Sequence, residues 1–182
     1  MREVVVTAAL RTAVGRALKG TLRHTRPDDL GAAVVKSLLD AHPQLDPALV
    51  GDVIMGCAMP EGEQGMNVAR IGLFLAGLPE TASAATINRF CSSGLHAVAD
   101  VAKSIMVGQV DVGIGGGVES MSMVPMGGNK PSANPELMAS HPEVYTPMGI
   151  TAENVAKQFN ISRDAQDAFA LESHNRAVNG IE

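Results

Sequence analysis

Aromatic residues and cysteines are both scarce in this chain of 182 residues. It has no tryptophan, one tyrosine and four phenylalanines, so aromatic residues make up only 3% of the sequence. Its 19 glycines instead indicate close packing of backbone against backbone. The two cysteines, Cys57 and Cys91, form neither a disulfide framework nor a CxxC pair, which is typical of a reducing compartment. We therefore expect a cytoplasmic protein.

Positive charge and long apolar runs are lacking as well. Lysine and arginine number 14 against 19 aspartates and glutamates, so the net charge is −5. The sequence has no stripe of basic residues of the kind that binds nucleic acid. No apolar run reaches the roughly 18 residues that a membrane span needs, and MREVVVTAAL is typical of a first strand, not a signal peptide. The five histidines show no metal-ligand spacing. We expect no nucleic-acid partner, no membrane span and no metal site.

Apolar residues make up 46% of the chain, which suits a globular core. Segments of helical period alternate with short strand-like runs. The predicted strands are Glu3 to Leu10, Asp52 to Ala58, Ser83 to Asn88 and Val110 to Gly116. The predicted helices run from Pro27 to about Ala41, from about Asn67 to Ala76, and onward from Ser92 or Ser93. This βαβαβαβ order predicts an α/β fold with a largely parallel sheet.

The pattern changes after residue 119. From Ser120 to Met148 no period of two or 3.6 persists, and methionine, proline, serine, asparagine and glycine dominate. Two helices are expected beyond this excursion, with Thr151 and Ser162 as their N-caps. We therefore divide the chain into residues 1–119, an α/β domain, and residues 120–182, the start of a second region.

Cys91 stands where a turn meets the start of a helix. The first N–H groups of a helix have no intrahelical partner and favour a negative charge nearby, and the thiolate is the form of cysteine that attacks. The helix that follows is apolar on most sides, which predicts that it is buried. An isolated cysteine is more often an inert buried hydrophobe, and we interpret Cys57, inside a strand, in that way.

Two other features are weak candidates for chemistry. Gly115, Gly116 and Gly117 end a strand without the spacing of a phosphate-binding loop, so close packing is the better interpretation. His96 follows Cys91 by five residues, about 140° around a helix, and is a poor candidate for a base acting on that thiol. His174 is interpreted as a surface or packing residue.

Several long motifs in this sequence resemble those of the thiolase family, specifically the degradative 3-ketoacyl-CoA thiolases. They occur in the family's order and span nearly the whole chain. The motifs are MGCAMPEGEQGMNVAR, NRFCSSGLHAV, GGVESMSMVP, GGNKPSANP, MGITAENVA and SRDAQDAFALESHNRA. The resemblance implies the N-terminal half of the thiolase fold, with residues 120–182 beginning the loop domain that covers the active site and helps to assemble tetramers.

The resemblance also implies a chemistry. Cys91 matches the nucleophile, which forms a cysteine acyl-enzyme during CoA-dependent cleavage of 3-ketoacyl-CoA in fatty-acid β-oxidation. Its own N–H is expected to help form an oxyanion hole. Met148 matches a residue that lines the acyl pocket. The implied ligands are acyl-CoA and CoA, with coenzyme A as substrate and no cofactor. Thiolases pair through the sheet edge at the strand before the nucleophile, so a homodimer or tetramer is expected of the complete enzyme.

Three catalytic motifs of the family, CxGGG, GHP and NEAF, do not occur in these 182 residues. We expect the chain alone to be inactive, whether it is a truncation, a partial record or a split subunit with a C-terminal partner chain. Pro147 stands where biosynthetic enzymes usually have a histidine, which favours a degradative thiolase. The alternatives are a biosynthetic acetoacetyl-CoA thiolase and a non-catalytic assembly subunit. A lone redox cysteine is disfavoured because no resolving cysteine is near in sequence.

Overall fold

A computed structural model describes residues 1–181 and divides the chain into two compact units. The first unit is Met1–Pro131, and the second begins at Ser132. The elements of the first unit are α1 Pro27–Asp40, β1 Val50–Gly56, α2 Val68–Leu75, β2 Ser83–Ile87, α3 Ser93–Met106 and β3 Val112–Gly117. Those of the second unit are α4 Pro135–Ser140, α5 Met148–Gln158 and α6 Arg163–Asn179. The domain boundary expected after residue 119 stays a prediction.

The strands form a parallel sheet in the order β2-β1-β3. Central β1 pairs with β2 from Asp52↔Ser83 to Gly56↔Ile87, and with β3 up to Gly56↔Gly117. The carboxyl ends of all three strands therefore lie at the same edge of the sheet. The α/β class and the parallel sheet predicted from the sequence are confirmed.

Alternating side chains of β1 supply both faces of the sheet. Val53 and Met55 belong to the main core, which α1 and α2 complete on one face with residues such as Val35 and Leu73. On the other face, Ile54 packs against the α3 stripe formed by Ala97 and Val101. The expectation that α3 is buried all round was wrong, because a helix packed on one sheet buries only a stripe. Its Leu95 is 76% exposed.

The first predicted strand is a second correction. Residues 3–10 form no strand, and Val5 and Val6 are 71% and 78% exposed. Residues 4–12 and β3 line a cavity of about 580 Å³. No backbone ladder joins residues 4–12 to β3. The N-terminus is attached instead by a hydrogen bond from the Arg2 N–H to the Met106 carbonyl (3.1 Å) and by an Arg2–Asp111 ion pair. β-Branched residues favour a pleated surface only where a partner strand provides one.

In the second unit the expected excursion contains more structure than its irregular composition indicates. Asn134 caps α4 by accepting from the Leu137 N–H, and a 3-10 turn follows at Pro142–Tyr145. Helix α5 begins at Met148, so Thr151 is not its N-cap; the Thr151 hydroxyl donates to the Pro147 carbonyl one turn back. Ser162 caps α6 as predicted, accepting from the Ala165 N–H at 3.2 Å. Over residues 1–181, no helix is both long and apolar enough to cross a membrane.

Candidate active site

Cys91 lies in the short turn between the end of β2 and the start of α3. Its side chain is exposed, and Ser92 is the N-cap residue of the helix. In open parallel sheets, ligands bind beyond the carboxyl ends of the strands, where such turns collect. The accessible thiol and the start of α3 therefore occupy the edge of the sheet at which a substrate is expected.

The turn holds the residue before the thiol in a left-handed conformation. Phe90 has φ +45°, which is uncommon for a residue with a side chain and persists only where its surroundings fix it. The Asn88 side-chain oxygen accepts from the Phe90 N–H at 2.8 Å, and the Phe90 carbonyl accepts from the Ser93 N–H at 3.0 Å. Both peptide groups that flank Phe90 are thus hydrogen-bonded.

The buried Ser93 hydroxyl closes the turn. It accepts from the Arg89 N–H at 2.8 Å and donates to the Phe90 carbonyl at 2.6 Å. Ser92 adds a hydroxyl bond to the Arg89 carbonyl at 3.1 Å. Since these bonds join the turn to the first residues of α3, they fix the backbone on both sides of Cys91.

Glycines allow α3 to start directly against the sheet. A Cβ added at Gly56 would lie 2.5 Å from the Ser93 Cβ and 2.6 Å from the Gly94 nitrogen. One added at Gly115 would lie 2.7 Å from the Val98 Cα. Such distances are too short for real Cβ atoms, so these positions require glycine. Close packing therefore accounts for Gly115 in the glycine run that ends β3, whereas a Cβ at Gly116 would meet nothing within 4 Å.

The second cysteine has the opposite environment. Cys57 is 1% exposed, and its Sγ lies 3.8 Å from Oε1 of Glu119. Burial, with a smaller contribution from the Glu119 charge, raises the pKa of the Cys57 thiol to about 12. Cys57 is therefore neutral near pH 7 and out of reach of solvent. The sequence-based interpretation of Cys57 as a core residue is confirmed.

Comparison with known proteins decides the family. The thiolase N-terminal domain matches residues 4–182. The chain belongs to the thiolase family. It is 49% identical over 181 residues to a 3-ketoacyl-CoA thiolase of Bacillus subtilis, covering 100% of this chain and 46% of that protein. It is 44% identical to 3-ketoacyl-CoA thiolase 5, peroxisomal, of Arabidopsis thaliana, covering 98% and 40%, and 44% identical to a Shewanella denitrificans 3-ketoacyl-CoA thiolase, covering 97% and 46%.

This thiolase chain spans less than half the length of the curated relatives that it matches. Met148 is the first residue of α5 in the second unit and is 74% exposed, and its place in an acyl pocket stays a prediction. His96 pairs with Asp100, with Nε2 and Oδ2 2.8 Å apart. The side-chain hydrogen bond from Lys103, followed by the charge of His96, lowers the pKa of Asp100. Among residues 1–181, no group of three or more His, Cys, Asp or Glu side chains is placed to hold a metal ion.

Sequence reasoning missed three residues of the site, namely Asn88, Ser93 and Glu119. Asn88 has a local signal, because asparagine commonly accepts a hydrogen bond from the backbone N–H two residues later. Ser93 also stands at a position favoured near a helix start. Glu119 has no such signal, since its partners lie 55 and 61 residues away along the chain.

Proposed function

We propose that this chain supplies the nucleophilic cysteine of a 3-ketoacyl-CoA thiolase. The Cys91 thiolate attacks the 3-keto carbon of a 3-ketoacyl-CoA, and the bond between carbons 2 and 3 breaks. The acetyl-CoA enolate leaves and is protonated, while the shortened acyl group stays on Cys91 as a thioester. The thiol of CoA then takes the acyl group and regenerates the cysteine. The names of the relatives support this substrate class.

The observation that supports the proposal most directly is the contrast between the two thiols. Cys91 is exposed beside the N-terminus of α3, whereas Cys57 is buried and neutral. A nucleophile must be reachable and benefits from groups that favour the thiolate, as a helix N-terminus does. The N–H of Cys91 is proposed to stabilise the oxyanion that forms when a thiolate adds to a carbonyl.

Substrate scope and assembly form the finer part of the proposal. Met148 would line the acyl pocket, and Pro147 before it favours a range of acyl chains over strict acetoacetyl-CoA specificity. Strand β2 lies at the edge of the sheet, next to the Cys91 turn. Pairing of two such edges across a two-fold axis would make a closed dimer. Light scattering of a complete enzyme tests this step, and a monomer at micromolar concentration would contradict it.

The catalytic proposal is tested with a chimaera. Residues 1–182 are joined to the part of the Bacillus subtilis relative that lies beyond the matched region. We expect CoA-dependent release of acetyl-CoA from a 3-ketoacyl-CoA. Cys91→Ala should abolish turnover, while the matched thiol control Cys57→Ala keeps it. A folded, active chimaera that tolerates Cys91→Ala would refute the assignment of the nucleophile.

The 182-residue chain alone is expected to show no measurable thiolysis. Loss of a single catalytic acid or base costs about 10²- to 10⁴-fold in rate, and the CxGGG, GHP and NEAF motifs are all absent from this sequence. Such losses are not additive, so the factors are not multiplied. Robust turnover that Cys91→Ala abolishes would mean that other residues of the chain supply these groups.

A further inference from the structure

A chain of hydrogen bonds links the Cys91 turn to the end of β3. Asn88 accepts from the Phe90 N–H through Oδ1 and donates through Nδ2 to the Ala58 carbonyl at 2.9 Å. The N–H of the same Ala58 donates to Oε2 of Glu119 at 2.6 Å. Residue 58 follows β1, the Asn88–Cys91 segment follows β2, and Glu119 follows β3. The chain therefore joins the three loops at the carboxyl edge of the sheet.

The Glu119 carboxylate is itself held by a second residue. Gln64, which is 0% exposed, donates through its side-chain nitrogen to Oε1 of Glu119 and to the Met59 carbonyl at 2.8 Å. Its side-chain oxygen accepts from the Ser120 N–H at 2.9 Å. Every polar atom of a buried amide thus has a partner, which makes the arrangement rigid. Glu119 receives bonds on both oxygens and can hold Ala58 in one position.

We propose that Asn88 and Glu119 are positioning residues for the cysteine nucleophile. Asn88 fixes the left-handed Phe90 next to Cys91, and Glu119 fixes Asn88 through the peptide groups of Ala58. Together they hold the backbone of Cys91 in the turn that leads into α3, and a helix N-terminus favours a negative charge nearby. The inference rests on the proposed role of Cys91. Asn88 and Glu119 act through the backbone, because their hydrogen bonds go to Phe90 and Ala58 and not to the Cys91 thiol.

The geometry separates this role from general stabilisation of the fold. Asn88 and Glu119 are both exposed, so truncating either side chain opens no cavity in the core. In Asn88→Ala, Cys57 provides an internal measure of folding, because only unfolding or local opening makes that thiol accessible. Glu119 lies 3.8 Å from the Cys57 Sγ and accepts from the buried Gln64, so the folding of its variants is measured by urea denaturation instead.

The test is the rate of iodoacetamide labelling of Cys91 and Cys57 in the 182-residue chain, resolved by peptide mapping at pH 7 and pH 10. For Asn88→Ala we expect Cys91 labelling at pH 7 to fall by about two- to fivefold, the effect of a helix N-terminus on a nearby charge. The rates of variant and wild type should converge at pH 10, where an ordinary thiol is ionised in any position. Cys57 should stay protected throughout.

Glu119 is tested by a pair of variants. Glu119→Ala removes both acceptor oxygens, whereas Glu119→Gln keeps one oxygen that can accept from the Ala58 N–H and turns its amide nitrogen toward the Gln64 donor. We expect Glu119→Ala to slow Cys91 labelling at pH 7, and Glu119→Gln to slow it no more than Glu119→Ala does. Glu61→Ala is the matched control, since Glu61 likewise accepts a backbone N–H, that of Asn129 at 2.6 Å, without a link to the Cys91 turn. Its Cys91 rate should equal that of the wild type.

Three results would overturn the proposal: an unchanged Cys91 rate in Asn88→Ala, an unchanged Cys91 rate in Glu119→Ala, or a deficit that persists at pH 10. A rise in Cys57 labelling in Asn88→Ala would also overturn it, because it would show that the Asn88 bonds act only by stabilising the fold. Labelling needs no substrate, so these outcomes do not depend on the thiolysis assay. Conversely, a chimaera that tolerates Cys91→Ala would refute the proposed function and leave the positioning result intact.

Discussion

Replacing Gly56 with alanine should displace the start of α3 and, with it, the turn that carries Cys91. Gly56 ends β1, and the first residues of α3 lie directly over it. A Cβ at this position would lie 2.5 Å from the Ser93 Cβ and 2.6 Å from the Gly94 nitrogen, where ordinary contact begins at 3.4 Å. The obstructing atoms include helix backbone, which cannot rotate away as the end of a flexible side chain can. The start of α3 would have to move by nearly 1 Å in a closely packed interior.

The cost follows from this displacement. Inserting a methyl group into a well-packed core typically costs about 1–3 kcal/mol, and an obstruction by backbone belongs at the upper end of that range. We therefore expect Gly56→Ala to lower the free energy of unfolding by about 3 kcal/mol, a large share of the ~5–15 kcal/mol that stabilises a typical domain. The same movement would carry Cys91 away from its position. In the chimaera, a misplacement of about 1 Å can cost 10²-fold in rate.

Gly116→Ala is the matched control. Gly116 lies in β3 at the same edge of the sheet, but a Cβ there would meet nothing within 4 Å. Replacing a glycine of ordinary φ by alanine stabilises by about 0.4–1 kcal/mol, because the unfolded chain loses freedom. Urea denaturation followed by far-UV circular dichroism measures both variants. If Gly56→Ala unfolds within about 0.5 kcal/mol of Gly116→Ala, the close approach of α3 to β1 is not as described.

Two further predictions concern the cysteines. Iodoacetamide should label Cys91 faster than Cys57 in the folded chain near neutral pH, since only Cys91 is exposed; faster labelling of Cys57 would contradict the assignment of the accessible thiol. The raised pKa of Cys57 predicts a loss of stability in alkali. In the unfolded chain the Cys57 thiol has its ordinary pKa of 9.0, and in the folded chain its pKa is about 12. The unfolded thiol therefore loses its proton at lower pH, so stability is fully present below pH 9 and declines as the pH rises from 9 to about 12. Denaturation at pH 8 to 11 should show a steeper decline in wild type and in Cys91→Ala than in Cys57→Ala, and equal slopes in all three would refute the shift.

Local physics made much of this chain predictable. Proline at the first position of α1, followed by Asp28 and Asp29, predicts the start of that helix, and Ser162 predicts the start of α6. The alternation of strands and helices predicts the parallel sheet, because crossovers of that length join parallel strands. The position of Cys91 at the start of α3 follows in the same way. Each of these features depends on residues within one or two turns of each other.

Only the tertiary structure decided the features that depend on distant partners. The β-branched run at residues 3–10 has strand propensity, yet these residues join no ladder although β3 has an unpaired edge, because propensity alone does not bring a segment into register with a neighbour. Glu119 becomes part of the site only because β3 ends beside Ala58. Gly56 is required because α3 crosses it, not because of any feature of its own segment. The sequence alone therefore indicated the family and singled out Cys91, whereas the packing of three strand ends determined which residues hold the turn that carries Cys91.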